Sequence, residues 1–236
     1  HTASLISMIG GGSSLLRPGE VSRAHGGVLF LDELGEFPTA VLDALRQPLE
    51  ERVVRVNRAA ASAMFPASFI LMAATNPCPC GYAPSVACTC GPAAIARYRR
   101  RLSGPLLDRF DLRLAVSAAS HREVVDGTGG ETSTMIAERV AQARGRAVRR
   151  GVTSNAELSA SALAECTRLT PGAADLMAKA AGEGRLSGRG TRRVRCVALT
   201  IDDLDEGDGT LHEDAVSRAL ALRCEVSSSP MQMVRA

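Results

Sequence analysis

The stretch GGVLFLDELGEF, residues 26–37, sets four apolar residues, Val28 to Leu31, directly ahead of two acids, Asp32 and Glu33. A run this short, continuous and branched, led by two glycines, predicts a strand buried on both faces, as in a parallel sheet covered by helices. Asp32 and Glu33 then stand at its carboxyl end, where open α/β sheets bind ligands. A carboxylate there can hold a metal ion, and its neighbour can polarise a water. Taken alone, the same residues also read as a strand that ends in a polar turn.

Two more apolar runs follow, FILMAAT at 69–75 and LRLAV at 112–116, each bounded by glycine or proline loops. Up to about residue 118 the pattern is therefore α/β. From about 120 it turns helical, with predicted helices near 131–150, 159–168, 172–182, 190–204 and 212–223. Ser159 and Thr170-Pro171 are helix starts, and EGDG at 206–209 interrupts the pattern before the last helix. VVDGTGGETST, 124–134, reads as the linker between the halves.

Composition narrows the class. The 236 residues are 45% hydrophobic, with no apolar run near membrane-spanning length and no visible signal peptide, so a soluble, cytoplasmic protein without a membrane partner is expected. The net charge of +3 does not by itself indicate nucleic acid, although arginines cluster in RYRRR at 97–101 and RGRAVRR at 144–150. Of the 28 lysines and arginines only Lys179 is a lysine. Four of the seven cysteines crowd into CPCGYAPSVACTC, while Cys166, Cys196 and Cys224 are scattered.

Asn76 lies just past the second strand, where an amide can orient a water or a phosphate oxygen; Arg109, in RLSGPLLDRFDL, precedes the third. Each has an ordinary reading, as a turn residue and as a surface ion-pair partner. The order of the pieces is more specific. Apolar strand with Asp-Glu, strand with Asn, LLDRFD and then a helical domain resembles the AAA+ ATPases, in the branch of magnesium-chelatase ATPase subunits and minichromosome-maintenance helicases. GGG at 10–12, RPGEVSRAHGGVLFLDELGEF, LRQPLE, NPCPCGY and RYRRRLSGPLLDRFDL are similar to the ComM/YifB family of magnesium-chelatase-like ATPases.

That resemblance implies an α/β fold with a partial AAA+ parallel-sheet core of the P-loop NTPase type over 1–118, followed by an all-helical lid over 119–236. It implies ATP and Mg²⁺ as cofactors. Asp32 corresponds to the Mg²⁺ ligand, Glu33 to the acid that activates the attacking water, and Asn76 to the sensor that positions it. Arg109 corresponds to the arginine finger acting on the neighbouring subunit's ATP. Arg189 in LSGRGTRRV matches the second sensor, with Arg192 or Arg193 in that place if the register shifts. The implied activity is a hexameric ring that moves on DNA during recombination of incoming DNA. The alternatives are a chelatase-type motor remodelling a protein partner, or an inactive fragment that binds only DNA or its own subunits.

One part is missing. A phosphate-binding loop, GxxxxGK[ST], needs a lysine beside Ser or Thr at a helix start, and Lys179 precedes alanine in the helical half. The sequence therefore reads as the carboxyl-terminal part of a longer ATPase, a fragment or a truncated gene product. The strand ahead of that loop lies at the centre of the family's sheet, so the strands at 69–75 and 112–116 are expected to lose a shared neighbour and present bare edges. Residues 4–25 and the hairpin pattern VVRVNRAAASAMF, 53–65, fill the places of the two insertions that line the channel in helicases of this branch. Arg55 and Arg58 are the candidate DNA phosphate contacts, against a plain solvated hairpin face. Cys78, Cys80, Cys88 and Cys90 form CxC-x7-CxC, for which a structural Zn²⁺ site, free thiols and a redox disulfide all stay open; CxC is tighter than the usual zinc spacing.

Overall fold

The structure is a computed structural model that describes residues 2–12, 15–58, 61–116 and 130–228, with the side chains of 58, 61 and 224–228 outside the description. The chain divides into two compact units, His1–Phe110 and Asp111–Ala236. Among the described residues no helix is long and apolar enough to cross a membrane.

The first unit opens with α1 (Leu5–Ile9), capped by Ser4, whose Oγ accepts the Ser7 N–H at 3.1 Å. Strands β1 (Gly10–Gly11) and β2 (Arg17–Pro18) pair antiparallel, and α2 (Glu20–Arg23) follows. These pieces pack too closely for side chains. A Cβ on Gly10 would lie 2.5 Å from the Arg17 carbonyl oxygen, and one on Gly19 would lie 2.4 Å from that of Met8.

Next come β3 (Val28–Leu31), a 3₁₀ turn (Leu34–Glu36), α3 (Thr39–Ala44), α4 (Arg46–Glu51), β4 (Val53–Arg58), β5 (Ala61–Pro66), β6 (Ile70–Ala73), α5 (Pro92–Arg100) and α6 (Gly104–Leu107). Strands β4 and β5 form the antiparallel hairpin that the alternation over 53–65 predicts, with Val54 and Val56 buried and Arg55 exposed between them. Strand β3 pairs parallel with β6, from Val28 opposite Ile70 to Leu31 opposite Ala73.

Two expectations about this sheet need correction. The strand β3 is not buried on both faces. Leu31 packs into a core with Leu34, Phe37, Val41 and Leu42, and Leu29, Leu71 and Ala73 lie against that core. On the opposite face Val28, Phe30, Ile70 and Met72 are 52%, 58%, 54% and 53% exposed. Among the described residues the sheet has two strands, and no element covers this second face. Nor do residues 112–116 form a strand. Leu112, Leu114 and Val116 are exposed, and the Arg113 N–H donates to the Leu222 carbonyl at 2.6 Å rather than to a ladder. An apolar alternation with no strand to pair against has nothing to satisfy its backbone as a sheet.

The second unit holds α7 (Ser133–Arg149), α8 (Ala160–Cys166), α9 (Pro171–Gly182), α10 (Gly188–Leu204) and α11 (Glu213–Ser228), with β7 (Arg168–Leu169) parallel to β8 (Thr210–Leu211). The expected caps form: Ser159 Oγ accepts from Ala162, Thr170 Oγ1 accepts from Ala173, and Pro171 takes the first position of α9. The EGDG break stands between α10 and β8, with Gly209 at φ +90°. Of the predicted linker, residues 124–129 lie outside the described residues. The core runs through Leu163, Ala173, Val194, Leu199, Leu211 and Val216.

Candidate functional site

Because β3 and β6 are parallel neighbours in register, Asp32 and Glu33 leave the sheet at the same edge as Asn76. Two backbone bonds hold that edge together: Ala74 N–H to the Leu31 carbonyl at 3.0 Å, and Leu34 N–H to the Ala74 carbonyl at 2.8 Å. Asp32 and Asn76 are exposed and Glu33 is half-buried. Glu33 adopts the left-handed conformation, φ 52° and ψ 46°, which costs about 1 kcal/mol or more for a side chain other than glycine. The surroundings impose it. Leu34 and Phe37 are anchored in the core, and Asp32 Oδ1 accepts the Glu33 N–H at 2.8 Å. The strand thus ends in a tight turn that fixes the Glu33 backbone.

A brace behind that turn is absent from the sequence reading. Tyr98 of α5 is 5% exposed and lies so close to Gly35 that a Cβ there would meet its Cζ at 2.4 Å. Arg101 donates to the Gly35 carbonyl at 2.8 Å and to Glu36 at 3.0 Å, with its guanidinium 6.0 Å from the Tyr98 ring centre. The available signal was a glycine two residues after Glu33 and an aromatic inside RYRRR, which the charge pattern obscured.

Asn76 has a different neighbour. A Cβ on Gly81 would lie 3.8 Å from the Asn76 side-chain amide, so the cysteine loop passes within one methyl group's reach of it. In that loop Cys78 Sγ is 3.4 Å from Cys80 Sγ and 3.8 Å from Cys88 Sγ, Cys80 to Cys88 is 3.6 Å, and all four sulfurs lie within 4.8 Å of one another. The Tyr82 backbone N–H lowers the Cys80 thiol to about 6, and contact with Cys80 raises Cys90 to about 11. One thiolate suppresses ionisation of the next, as like charges at this range must.

Arg109 sits in the first unit and is tied down there. Its Nε donates to the Arg46 carbonyl at 2.9 Å, Nη1 to the Pro105 carbonyl at 2.6 Å and Nη2 to Glu50 at 2.6 Å, and 12% of the side chain is exposed. Glu50, within LRQPLE, is a partner that the sequence does not point to. Of the three sensor candidates, Arg189 is exposed in the first turn of α10, Arg192 donates to the Leu158 carbonyl and Arg193 pairs with Asp111.

On the hairpin, Arg55 pairs with Glu51 and holds that carboxyl below its ordinary range. The Arg58 side chain lies outside the described residues.

Two family descriptions match the chain: magnesium chelatase, subunit ChlI, over residues 1–126, and the ChlI C-terminal family over 130–223. The chain is 40% identical over 227 residues to competence protein ComM of Haemophilus influenzae, covering 96% of the chain and 44% of that protein. It is 41% identical over 212 residues to the uncharacterized protein YifB of Escherichia coli, covering 88% of the chain and 41% of YifB. An uncharacterized protein of Mycobacterium tuberculosis is 41% identical over 230 residues, covering 94% of the chain and 45% of the relative. The chain therefore spans less than half the length of each of these relatives.

Proposed function

Because the chain belongs to the magnesium chelatase subunit ChlI family of AAA+ proteins, in its ComM/YifB branch, we propose that the whole protein is a ring-forming ATPase that moves on DNA. The observation that carries the ATPase reading is the shared sheet edge at which Asp32, Glu33 and Asn76 emerge from two adjacent parallel strands. That is where ligands bind in open α/β sheets. Residues 1–118 supply half of the nucleotide-binding core and 119–236 the helical lid.

The acid side of the site fits Mg-ATP: an exposed carboxylate is the hard oxygen ligand that Mg²⁺ prefers, and Asp32 provides it. When bound, the ion neutralises charge on the phosphates. Glu33 accepts a proton from the attacking water, and the Asn76 amide orients that water without competing for the proton. The phosphate side is not supplied by residues 1–236, which contain no GxxxxGK[ST]. ATP turnover is accordingly assigned to the longer protein.

Arg109 acts on the neighbouring subunit after exchanging Glu50 for phosphate. Glu50, 42% exposed at its side chain, is the solvent-facing half of that pair, so a phosphate can displace it from Arg109. A finger supplies ~10³–10⁵ in rate, which is about 4–7 kcal/mol. Arg189, the match to the family's second sensor in LSGRGTRRV, contacts nucleotide from the lid, with Arg192 or Arg193 in that place if the register shifts. Arg55 and Arg58 grip DNA phosphates from the hairpin, with ComM named as a competence protein among the relatives in support.

In the intact protein, Glu33→Gln and Arg109→Ala each abolish DNA-stimulated phosphate release. Mixed rings of the two inactive variants recover part of it, because some interfaces then join an intact Glu33 to an intact Arg109. Mixed rings without recovery overturn action across the interface. Turnover that DNA leaves unchanged, but a protein partner raises, favours the chelatase-type motor. The 236-residue chain alone stays below about 0.1 s⁻¹, under the usual range of ~1–10³ s⁻¹; faster release overturns the assignment of the phosphate side.

A further inference from the structure

We infer that Cys78, Cys80, Cys88 and Cys90 hold one Zn²⁺ in a closed four-thiolate site that fastens the loop after Asn76 to the start of α5. The inference stands on the geometry of the loop and is independent of the ATPase reading.

From Pro77 to Gly91 the described chain makes only turns, and Cys78 is the one buried residue in that span. Its large apolar side chains point outward, with Tyr82 62% and Val86 107% exposed. A loop this long without secondary structure or a core of its own needs another source of order. The four thiols converge at its centre instead of apolar groups. Tight turns bring them there: Gly81 N–H bonds to the Cys78 carbonyl at 3.0 Å with Gly81 at φ +81°, and Cys88 N–H bonds to the Ser85 carbonyl at 2.9 Å. The Ala83 N–H points at Cys78 Sγ from 3.4 Å, the kind of outer hydrogen bond that orients a metal ligand.

The sulfur separations choose among the occupants. Four ligands at a Zn–S distance of about 2.3 Å around a tetrahedral ion are about 3.8 Å apart. The three sulfur pairs described above are 3.4, 3.6 and 3.8 Å apart. A disulfide brings two sulfurs to about 2.05 Å, far inside these values. Clusters of several irons carry their cysteines on the outside and need them farther apart. Hard cations prefer oxygen, while an all-thiolate tetrahedron selects zinc or iron. The unusual CxC spacing is no obstacle, since Cys78 and Cys80 bring their sulfurs to 3.4 Å across one intervening proline.

The site is structural, with every position taken by protein. It has consequences at both ends of its loop. Gly81 faces the Asn76 amide, and α5 carries Tyr98, which packs on Gly35 beside Glu33. Zinc thus fixes the segment between the Asn76 edge and the brace behind the acid turn.

The test uses the 236-residue chain purified without chelator. Elemental analysis is expected to find about one zinc per chain, released stoichiometrically by a mercurial. Replacement by Co²⁺ is expected to give the intense visible bands of a tetrahedral site with thiolate charge transfer. Cys88→Ser with Cys90→Ser loses the metal, and Cys166→Ser keeps it. Should the double variant fold poorly, the Co²⁺ spectrum of the unaltered chain still decides. Less than about 0.2 zinc per chain with the four thiols freely titrated overturns the proposal. So does iron with inorganic sulfide, or a disulfide among these cysteines in the native protein. Hydrogen exchange checks the fastening. Metal removal is expected to raise exchange at Gly81, Ala83 and Cys88 at least tenfold and leave α9 and α10 unchanged. Equal exchange with and without metal overturns the fastening role.

Discussion

In the helical unit Val194, Ala198, Leu199, Leu211 and Val216 have no exposed surface, whereas Val28, Phe30, Ile70 and Met72 on one face of the β3–β6 sheet keep more than half of theirs. All nine residues are apolar. Helices α8 to α11 close around a core they share with Leu158, Leu186 and Leu211; two parallel strands cover one face with α3 and its neighbours and, among the described residues, leave the other open. A parallel pair ordinarily has helices on both faces. The two units therefore bury their apolar residues to different extents, and substitutions that look alike in sequence differ in cost.

The largest expected effect lies in the helical unit. Asp203, 1% exposed at its side chain, accepts two bonds from Arg150 at 2.7 and 2.6 Å and one from Asn155 at 2.7 Å, and Asn155 also donates to Thr200. Arg150 is 17% exposed, so Asp203→Ala strands a guanidinium and an amide away from most solvent. The expected cost is about 3–5 kcal/mol, read as a lower urea midpoint for the loss of helical signal in the 236-residue chain. Asp203→Ala combined with Arg150→Met should recover part of it, because the uncompensated charge is gone. A cost under about 1 kcal/mol means the network is solvated and the unit less closed than the contrast requires.

The covered side of the sheet unit comes next. Leu42, at 1% exposure, packs beneath β3 with Leu31 and Leu34. Leu42→Ala is expected to cost about 2–5 kcal/mol, the transfer term plus whatever cavity remains. Stability is read by denaturation and the location of the effect by hydrogen exchange in β3 and β6. If exchange changes only in α9 to α11, the two cores are not separate and the contrast fails.

What could be read in advance follows the range of the interactions. The β3 run, the β4–β5 alternation and the caps at Ser159 and Thr170 depend on neighbours a few residues away, and they are where the sequence puts them. Residues 112–116 carry as good a strand pattern as 70–73, but a strand also needs a partner, which pattern alone does not guarantee. The acids and Asn76 could be placed at one sheet edge because parallel neighbours share an edge. The contacts that hold the site were not legible: Tyr98 on Gly35, Arg101 on Gly35 and Glu36, and Glu50 on Arg109 join residues about sixty positions apart. The sulfur cluster lay between these cases. Its residues are obvious in the sequence and leave zinc, free thiols and a disulfide open; the closeness of the sulfurs depends on the turns at Gly81 and Ser85.

The smallest expected effect is the most direct test of the open face. Phe30 is 58% exposed and stands opposite Met72 across the parallel pair. Fully burying a phenylalanine is worth about 1.5–3 kcal/mol, so a side chain that keeps more than half its surface contributes about 1 kcal/mol or less. Phe30→Thr retains a branched residue suited to a strand. It should move the urea midpoint of the 236-residue chain far less than Leu42→Ala, while reducing the binding of an apolar fluorescent dye. Adding Met72→Thr should lower dye binding further with little additional loss, because both changes remove surface that water already reaches. A destabilisation as large as that of Leu42→Ala would mean that the face is covered in solution. Repeating the measurement across protein concentrations then identifies the cover: a midpoint that falls on dilution points to another copy of the chain, and one that stays fixed points to residues of the same chain.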